Sequence, residues 1–377
     1  MSERKLAIAC QGGGSHTAFT AGVLKRLLEQ GIPEPYRLVA LSGTSGGGIC
    51  ATAAWYGLLK VAKGSKEPAY KWLLDFWADN SATFLWERYL NHWGLQLVHG
   101  QDAGIIPTFE TSPYAADWMV DLGKAFAPRQ EYFDLKALLE KHIHFQEIPV
   151  LKQASSPRLL LGAVDILSGK FQTFDSEQEN INVEMLLATA AIPTLFKAVE
   201  IGNTAYWDGL FSENPPVADF MVDEVDERPD EIWIVRINPQ TRASVPKTTE
   251  DIRDRRNELS GNLSLNQELH FIEVVNRWVE QGYFGEKAAG KFKKVKVQWI
   301  DMSPEMSASL DYASKLNRSP SFFNHLIEDG ERQAEAFLRG LRVPTRSRQK
   351  PSELVSEPAP GASVRRSSLD VSEVEIG

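Results

Sequence analysis

Short runs of apolar residues alternate with segments of helical periodicity near the start of the chain. The run Lys5–Cys10 stops at three glycines, and residues 15–30 then carry apolar side chains at helical spacing. A second apolar run, Tyr36–Leu41, is again followed by a glycine-rich loop and a segment that suits a helix. Two successive strand–loop–helix units predict an α/β fold with a mostly parallel central sheet.

The same pattern returns in the second half of the chain. Further strands are predicted over 158–167, 171–174, 203–207, 231–237 and 294–300. Helices are predicted over 182–192, ending at Pro193, and over 265–281 and 319–340.

Residues 60–146 do not show this alternation of apolar strand runs and helical segments. They contain five of the ten tryptophans and are predicted as several short helices, a cap or insertion over one edge of the sheet. Two interpretations of their aromatic residues stay open: a lid or membrane-facing helix pair, and the apolar core of the cap. We therefore predict one catalytic domain over residues 1–345, with residues 346–377 as a disordered tail rich in proline, serine and charge.

Charge and composition narrow the class of protein. A net charge of -9 argues against a nucleic-acid binder, so we expect no nucleic-acid partner. Two cysteines exclude a disulfide framework. No run approaches the roughly 18 apolar residues of a transmembrane helix, and the N-terminus does not resemble a signal peptide. We expect a cytoplasmic protein.

The loop after the second strand contains a serine between glycines. Residues Gly43–Gly47 satisfy the pattern GxSxG between a strand and a helix, the context in which a sharp turn exposes a nucleophilic Ser45. Nucleotide binding fits poorly, because the first glycine loop has Thr17 where GxGxxG needs glycine and the second lacks the P-loop lysine. The GxSxG pattern alone does not separate a catalytic turn from a plain tight turn.

A nucleophile also needs an oxyanion hole and a base. The backbone N–H groups of Gly12, Gly13 and Gly14, together with that of Gly46, are candidates for the oxyanion hole. For the base, the downstream histidines His270 and His325 lie inside helical patterns, whereas Asp208 precedes a glycine after a short extended stretch. An Asp-Gly pair is by itself an ordinary turn, so the residues alone leave the base open.

These blocks, in this order, resemble the patatin-like acyl hydrolases. The glycine triplet followed by a helix, the Gly43–Gly47 motif and the Asp208-Gly209 pair all match, and Ala188–Val199 is similar to the segment that precedes the family's aspartate. The resemblance spans about residues 5–218. It implies a three-layer α/β/α fold, a Ser45–Asp208 dyad without a catalytic histidine, and no metal or cofactor.

Two departures from the family's pattern stand at the expected site. The family has Arg or Lys followed by Gly after the triplet, where this chain has His16 and Thr17, and Leu210 replaces a small residue of the aspartate motif. The first departure puts the positive charge near the oxyanion hole in question.

The resemblance implies hydrolysis of lipid esters of the phospholipase A or lysophospholipase type through an acyl-enzyme. The aromatic residues of the 60–146 segment add peripheral membrane contact as one expected interaction. The alternatives are an esterase acting on a non-phospholipid ester and a non-enzymatic lipid-binding protein. For Asp208 to act as a base at neutral pH, the site must desolvate it.

Overall fold

The computed structural model describes residues 3–107, 112–115, 121, 129–193, 195–221, 228–242, 244–284 and 292–342. The tail predicted for 346–377 lies outside the described residues, as does part of the 60–146 segment.

Eight strands of the described chain form one sheet: β1 Arg4–Cys10, β2 Tyr36–Gly43, β3 Arg158–Asp165, β4 Phe171–Asp175, β5 Val199–Ile201, β6 Thr204–Asp208, β7 Glu231–Arg236 and β8 Lys296–Asp301. Their order across the sheet is β5-β6-β3-β2-β1-β7-β8, and β4 pairs with β3. The neighbouring strands in the series β3-β2-β1-β7-β8 pair in parallel. The pairs β3–β4, β3–β6 and β5–β6 are antiparallel. The predicted strands are confirmed, and the three-residue β5 is an addition.

Helices cover both faces of the sheet. They are α1 Ala18–Gln30, α2 Ser45–Ala62, α3 Lys71–Asn80, α4 Leu85–Asp102, α5 Leu135–His142, α6 Ile148–Leu151, α7 Val183–Thr189, α8 Thr249–Glu280, α9 Pro304–Ala308 and α10 Pro320–Arg342. The helix expected over 182–192 ends at Thr189, and the one expected over 265–281 begins sixteen residues earlier, at Thr249.

Side-chain alternation along β1 divides the core into two layers. Leu6, Ile8 and Cys10 pack in the cluster that contains residues of α1, α2 and α10, whereas Ala7 and Ala9 face the opposite cluster with residues of α8. The predicted three-layer α/β/α fold with a mostly parallel sheet is therefore confirmed.

The segment 60–146 contributes to this core and also to the surface. Leu73, Phe76 and Trp77 of α3 are buried in the cluster with α1 and α2. In α4, by contrast, Leu85, Tyr89 and Trp93 are exposed. That this segment acts as a cap stays a prediction.

Candidate active site

The turn between β2 and α2 holds Ser45 in a strained backbone conformation. Ser45 is the first residue of α2 and has φ = 56°, the one positive φ of a non-glycine residue in the described chain. Such a conformation costs about 1–3 kcal/mol and clusters at functional sites. Flanking glycines are required, because a Cβ on Gly43 would lie 2.6 Å from the carbonyl oxygen of Gly47, and one on Gly47 would lie 2.3 Å from that of Cys10.

Thr189, at the end of α7, fixes the backbone of Ser45. The Ser45 N–H donates to Thr189 Oγ1 at 3.1 Å, and the Thr189 hydroxyl donates in turn to the carbonyl oxygen of Gly162 in β3. Thr189 is fully buried. The sequence analysis did not identify it, since 144 residues separate it from Ser45.

Asp208 reaches the same place from the end of β6. Its Oδ1 accepts a hydrogen bond from the N–H of Leu210 at 2.8 Å, whereas the buried Oδ2 has no hydrogen-bond partner among the described residues. Burial raises the pKa of this carboxyl to about 7, although the nearby Ser45 hydroxyl, the Leu210 N–H and the charge of Lys315 each lower it. The desolvation expected of a carboxylate base is present, and a serine hydroxyl lies beside it.

The glycines of the loop after β1 differ in whether their N–H groups are available to a substrate. The Gly12 N–H donates to Asn214 Oδ1 at 2.6 Å, so it is not free for an oxyanion, and a Cβ on Gly12 would meet the Thr44 carbonyl oxygen at 2.4 Å. Gly13, Gly14 and Gly46 line the pocket that contains Ser45. Gly14 and Gly46 also stand in first turns of helices, where N–H groups lack an intrahelical partner. We therefore retain these three amides as the oxyanion candidates.

The two basic groups near the loop differ in charge. His16 is buried, bonds Ser314 Oγ through Nε2 at 2.8 Å, and has a pKa well below its usual value because of burial and the nearby Lys315. It is therefore neutral at physiological pH. Lys315 lines the pocket, and burial lowers its pKa to about 8, so it is largely charged at neutral pH.

A mostly apolar cavity of about 220 Å³ opens beside Ser45 and Asp208. Its apolar wall includes Ile49, Phe76, Trp77, Ile192, Phe196 and Leu210. Among the described residues that line it there is no histidine, and His270 and His325 are exposed on α8 and α10. A ligand in this cavity would therefore present an apolar group to the wall and a polar one to the serine.

Comparison with known proteins decides the family. The sequence matches the patatin-like phospholipase family over residues 8–221, more than half of the chain. The chain belongs to the patatin-like phospholipase family. The matched residues include Ser45, Thr189, Asp208 and the glycines of the site, whereas Ser314 and Lys315 lie beyond them.

The solved structures that the chain matches are distant from it in sequence. VipD from Legionella pneumophila is 12% identical, with a TM-score of 0.39 over 90% of this chain and 67% of its own. ExoU, crystallised with SpcU from the type III secretion system of Pseudomonas aeruginosa, is 14% identical, with a TM-score of 0.28 over 90% of this chain and 53% of its own. The chain thus spans about half the length of ExoU. No curated protein matches the sequence.

Two searches of the described residues bear on metals and membranes. Within those ranges, no group of three or more His, Cys, Asp or Glu side chains is arranged to hold a metal ion. No helix in the described part of the chain combines the length and apolar character that crossing a bilayer requires.

Proposed function

We propose that this patatin-like protein hydrolyses lipid esters, as a phospholipase A or lysophospholipase, through a Ser45–Asp208 dyad. The observation that carries the proposal is the pairing of a strained serine with a buried, half-unpartnered carboxyl at the polar end of an apolar cavity. A plain structural turn with a positive φ would normally place glycine or asparagine there instead of serine, and it does not need the open Oδ2 of Asp208.

The reaction begins with a proton transfer. Asp208 Oδ2 accepts the proton of the Ser45 hydroxyl as Oγ attacks the ester carbonyl, and the amides of Gly13, Gly14 and Gly46 stabilise the negative carbonyl oxygen. When the tetrahedral intermediate collapses, the protonated Asp208 gives its proton to the leaving alcohol. Water then attacks the acyl-enzyme with Asp208 again as base, which releases the fatty acid.

The pKa of Asp208 suits this role at neutral pH. A free aspartate is almost fully ionised at pH 7 and a weak base, whereas one whose pKa is about 7 combines an ionised fraction near one half with much stronger basicity. The apolar wall is the surface on which an acyl chain would lie.

Contact with a membrane surface is a second part of the proposal. Leu85, Tyr89 and Trp93 recur every fourth residue on α4 and therefore share one face of it. They are 84%, 69% and 54% exposed. Asn91 of the same helix binds Asn317 and the N–H of Arg318, and Arg318 lines the cavity. The apolar face thus belongs to a helix attached beside the proposed acyl site.

The test combines a serine-reactive probe with three substrates. Wild type, Ser45→Ala and Asp208→Asn are treated with a fluorophosphonate and assayed on phosphatidylcholine, lysophosphatidylcholine and a short p-nitrophenyl ester. We expect labelling and hydrolysis in wild type and a loss of at least about 10³-fold in both variants, since each removes a participant in the chemical step. Asp165→Asn changes a half-buried aspartate at the end of β3, whose carboxylate binds the N–H of Leu167 in the following turn; it is the control and should retain activity.

Each other outcome overturns a different part of the proposal. Labelling that persists in Ser45→Ala rules out Ser45 as the nucleophile. Hydrolysis of the short ester alone indicates an esterase of a non-phospholipid substrate. Phospholipid binding without hydrolysis or labelling in wild type indicates a lipid-binding protein.

A further inference from the structure

A lysine from the far end of the chain contacts the glycine loop. Lys315 belongs to a short 3-10 turn, Ala313–Leu316, and its Nζ lies 3.8 Å from the position that a Cβ of Gly13 would occupy. Its own carbonyl oxygen lies 2.6 Å from the corresponding position on Gly14. The turn therefore packs directly on the loop that carries two of the three proposed oxyanion donors.

Neutral side chains, and not a carboxylate, hold the ammonium group of Lys315. Within the described part of the chain, Nζ donates its hydrogen bonds to Asn257 Oδ1 and, at 3.1 Å, to Asn238 Oδ1. An ammonium has three N–H donors, so one remains beyond these two bonds. The amide oxygens fix its position without cancelling its charge.

The charged and titratable groups that face Lys315 come from three elements. Asp208 lies at the end of β6, Asp254 and Glu258 lie on α8, and the neutral His16 lies in the turn after β1. Glu258 and Asp254 act on Lys315 more strongly than Asp208 does, but both also lie near Arg242, at 2.7 Å and 3.7 Å. Among the described residues, no carboxylate forms a direct ion pair with Lys315, and Asp208 is the one of the three that lies in the site.

Burying an ammonium without an ion pair costs stability, so a lysine held in this position calls for a functional reason. We propose that Lys315 is the cation of the oxyanion site, fixed beside Gly13 so that its charge stabilises the carbonyl oxygen of the substrate when Ser45 attacks. Lys315 also favours the ionised form of Asp208, which keeps the base available. This inference rests on the proposed function.

Lys315 accounts for the departure of this chain at position 16. The basic residue expected two positions after the glycine triplet is here an uncharged histidine, and the partner of that histidine is Ser314, the neighbour of Lys315. The positive charge near the loop is therefore supplied from residue 315, outside the residues that match the family.

The test measures pH profiles of kcat and KM on the short soluble ester for Lys315→Met and Lys315→Arg. For Met we expect kcat to fall about 10- to 100-fold with KM nearly unchanged, because the charge acts in the transition state. In the pH profile of kcat, the loss of activity on the acidic side, where Asp208 is protonated, should move to higher pH, since Lys315 lowers the pKa of Asp208. The loss on the alkaline side, where Lys315 is deprotonated, should disappear. Arg should retain activity and shift the alkaline limb to higher pH, because guanidinium stays charged.

Lys25→Met is the control: it removes a partly buried cation that binds Glu331 at 2.6 Å between α1 and α10. It should leave the profile unchanged. A wild-type profile in Lys315→Met, or a uniform loss of activity with both limbs in place, would overturn the proposal. If Lys315→Met does not fold, the proposal is overturned by a Lys315→Arg variant whose activity falls at the same alkaline pH as that of wild type. A wild type that hydrolyses no ester and is not labelled at Ser45 instead refutes the proposed function.

Discussion

At the scale of single residues, the site combines short motifs with side chains recruited from far away. Ser45 and the glycines are candidates from sequence because each stands in a local pattern that a tight turn imposes, and Asp208 became one through the family resemblance. Thr189, Asn214 and Lys315 were not, because their roles depend on contacts with residues far away in the chain. Only the sheet order brings these positions together.

Thr189 offers a test of how the strained serine is held. Thr189→Val keeps the shape of the side chain but leaves the buried Ser45 N–H and the Gly162 carbonyl without their partner. Each unpaired buried group costs about 1–3 kcal/mol, so we expect the free energy of unfolding to fall by at least that amount. We also expect kcat to fall more than KM rises, because Ser45 loses its fixed geometry.

Chemical denaturation and steady-state kinetics on the short ester measure both effects. Thr189→Ser retains the hydroxyl and serves as the matched control, with activity near wild type. If Thr189→Val keeps wild-type kcat, the hydrogen bond does not position the nucleophile.

At the scale of elements, apolar periodicity predicted both α1 and α10 but not that they cross at contact distance. The crossing is between glycines: a Cβ on Gly22 would lie 2.0 Å from the carbonyl oxygen of Ile327, and one on Gly330 would lie 2.1 Å from that of Phe19. Both obstacles are backbone atoms, which cannot move aside as a flexible side chain can. These glycines set the separation of the two helices.

Gly22→Ala should therefore destabilise the protein, although alanine favours helices. We expect overpacking at the crossing to cost about 1–3 kcal/mol or more in the free energy of unfolding. Gly94→Ala is the matched change within α4, where nothing lies within 4 Å of the added Cβ. It should stabilise by about 0.5–1 kcal/mol. Urea denaturation of both variants compares the signs, and equal effects would show that the crossing tolerates a methyl group.

The limits of prediction at this scale have a physical cause. The first half of α8 was missed because Thr249–Ser264 is mostly polar and gives a weak apolar stripe, and its capping box at Thr248 was the better signal. Strand β5 has only three residues, which is too few for an alternation of apolar and polar side chains to be recognised in the sequence. Thr189 ends α7 four residues before Pro193, where it bonds the Ser45 turn and β3 instead of continuing the helix.

At the scale of the whole molecule, the layers of the fold follow from the alternation of strands and helices, whereas the order of the strands and the division of the chain into units do not. The single domain over residues 1–345 stays a prediction.

The net charge of -9 bears on the proposed membrane contact, because it opposes binding to an anionic bilayer. Binding should then depend on apolar insertion and respond weakly to salt.

The α4 face tests this idea. We expect Leu85→Ser, Tyr89→Ser and Trp93→Ser combined to lower partitioning onto phosphatidylcholine vesicles by more than about 10-fold, because each side chain loses transfer energy of the order of 1 kcal/mol. Hydrolysis of vesicle lipid should fall in parallel while hydrolysis of the short soluble ester stays unchanged, since α4 contributes none of the reacting groups. Leu263→Ser with Phe271→Ser removes exposed apolar surface from α8 and should change neither. Equal losses of vesicle binding in the α4 and α8 variants would mean that general surface hydrophobicity, and not the α4 face, determines the contact.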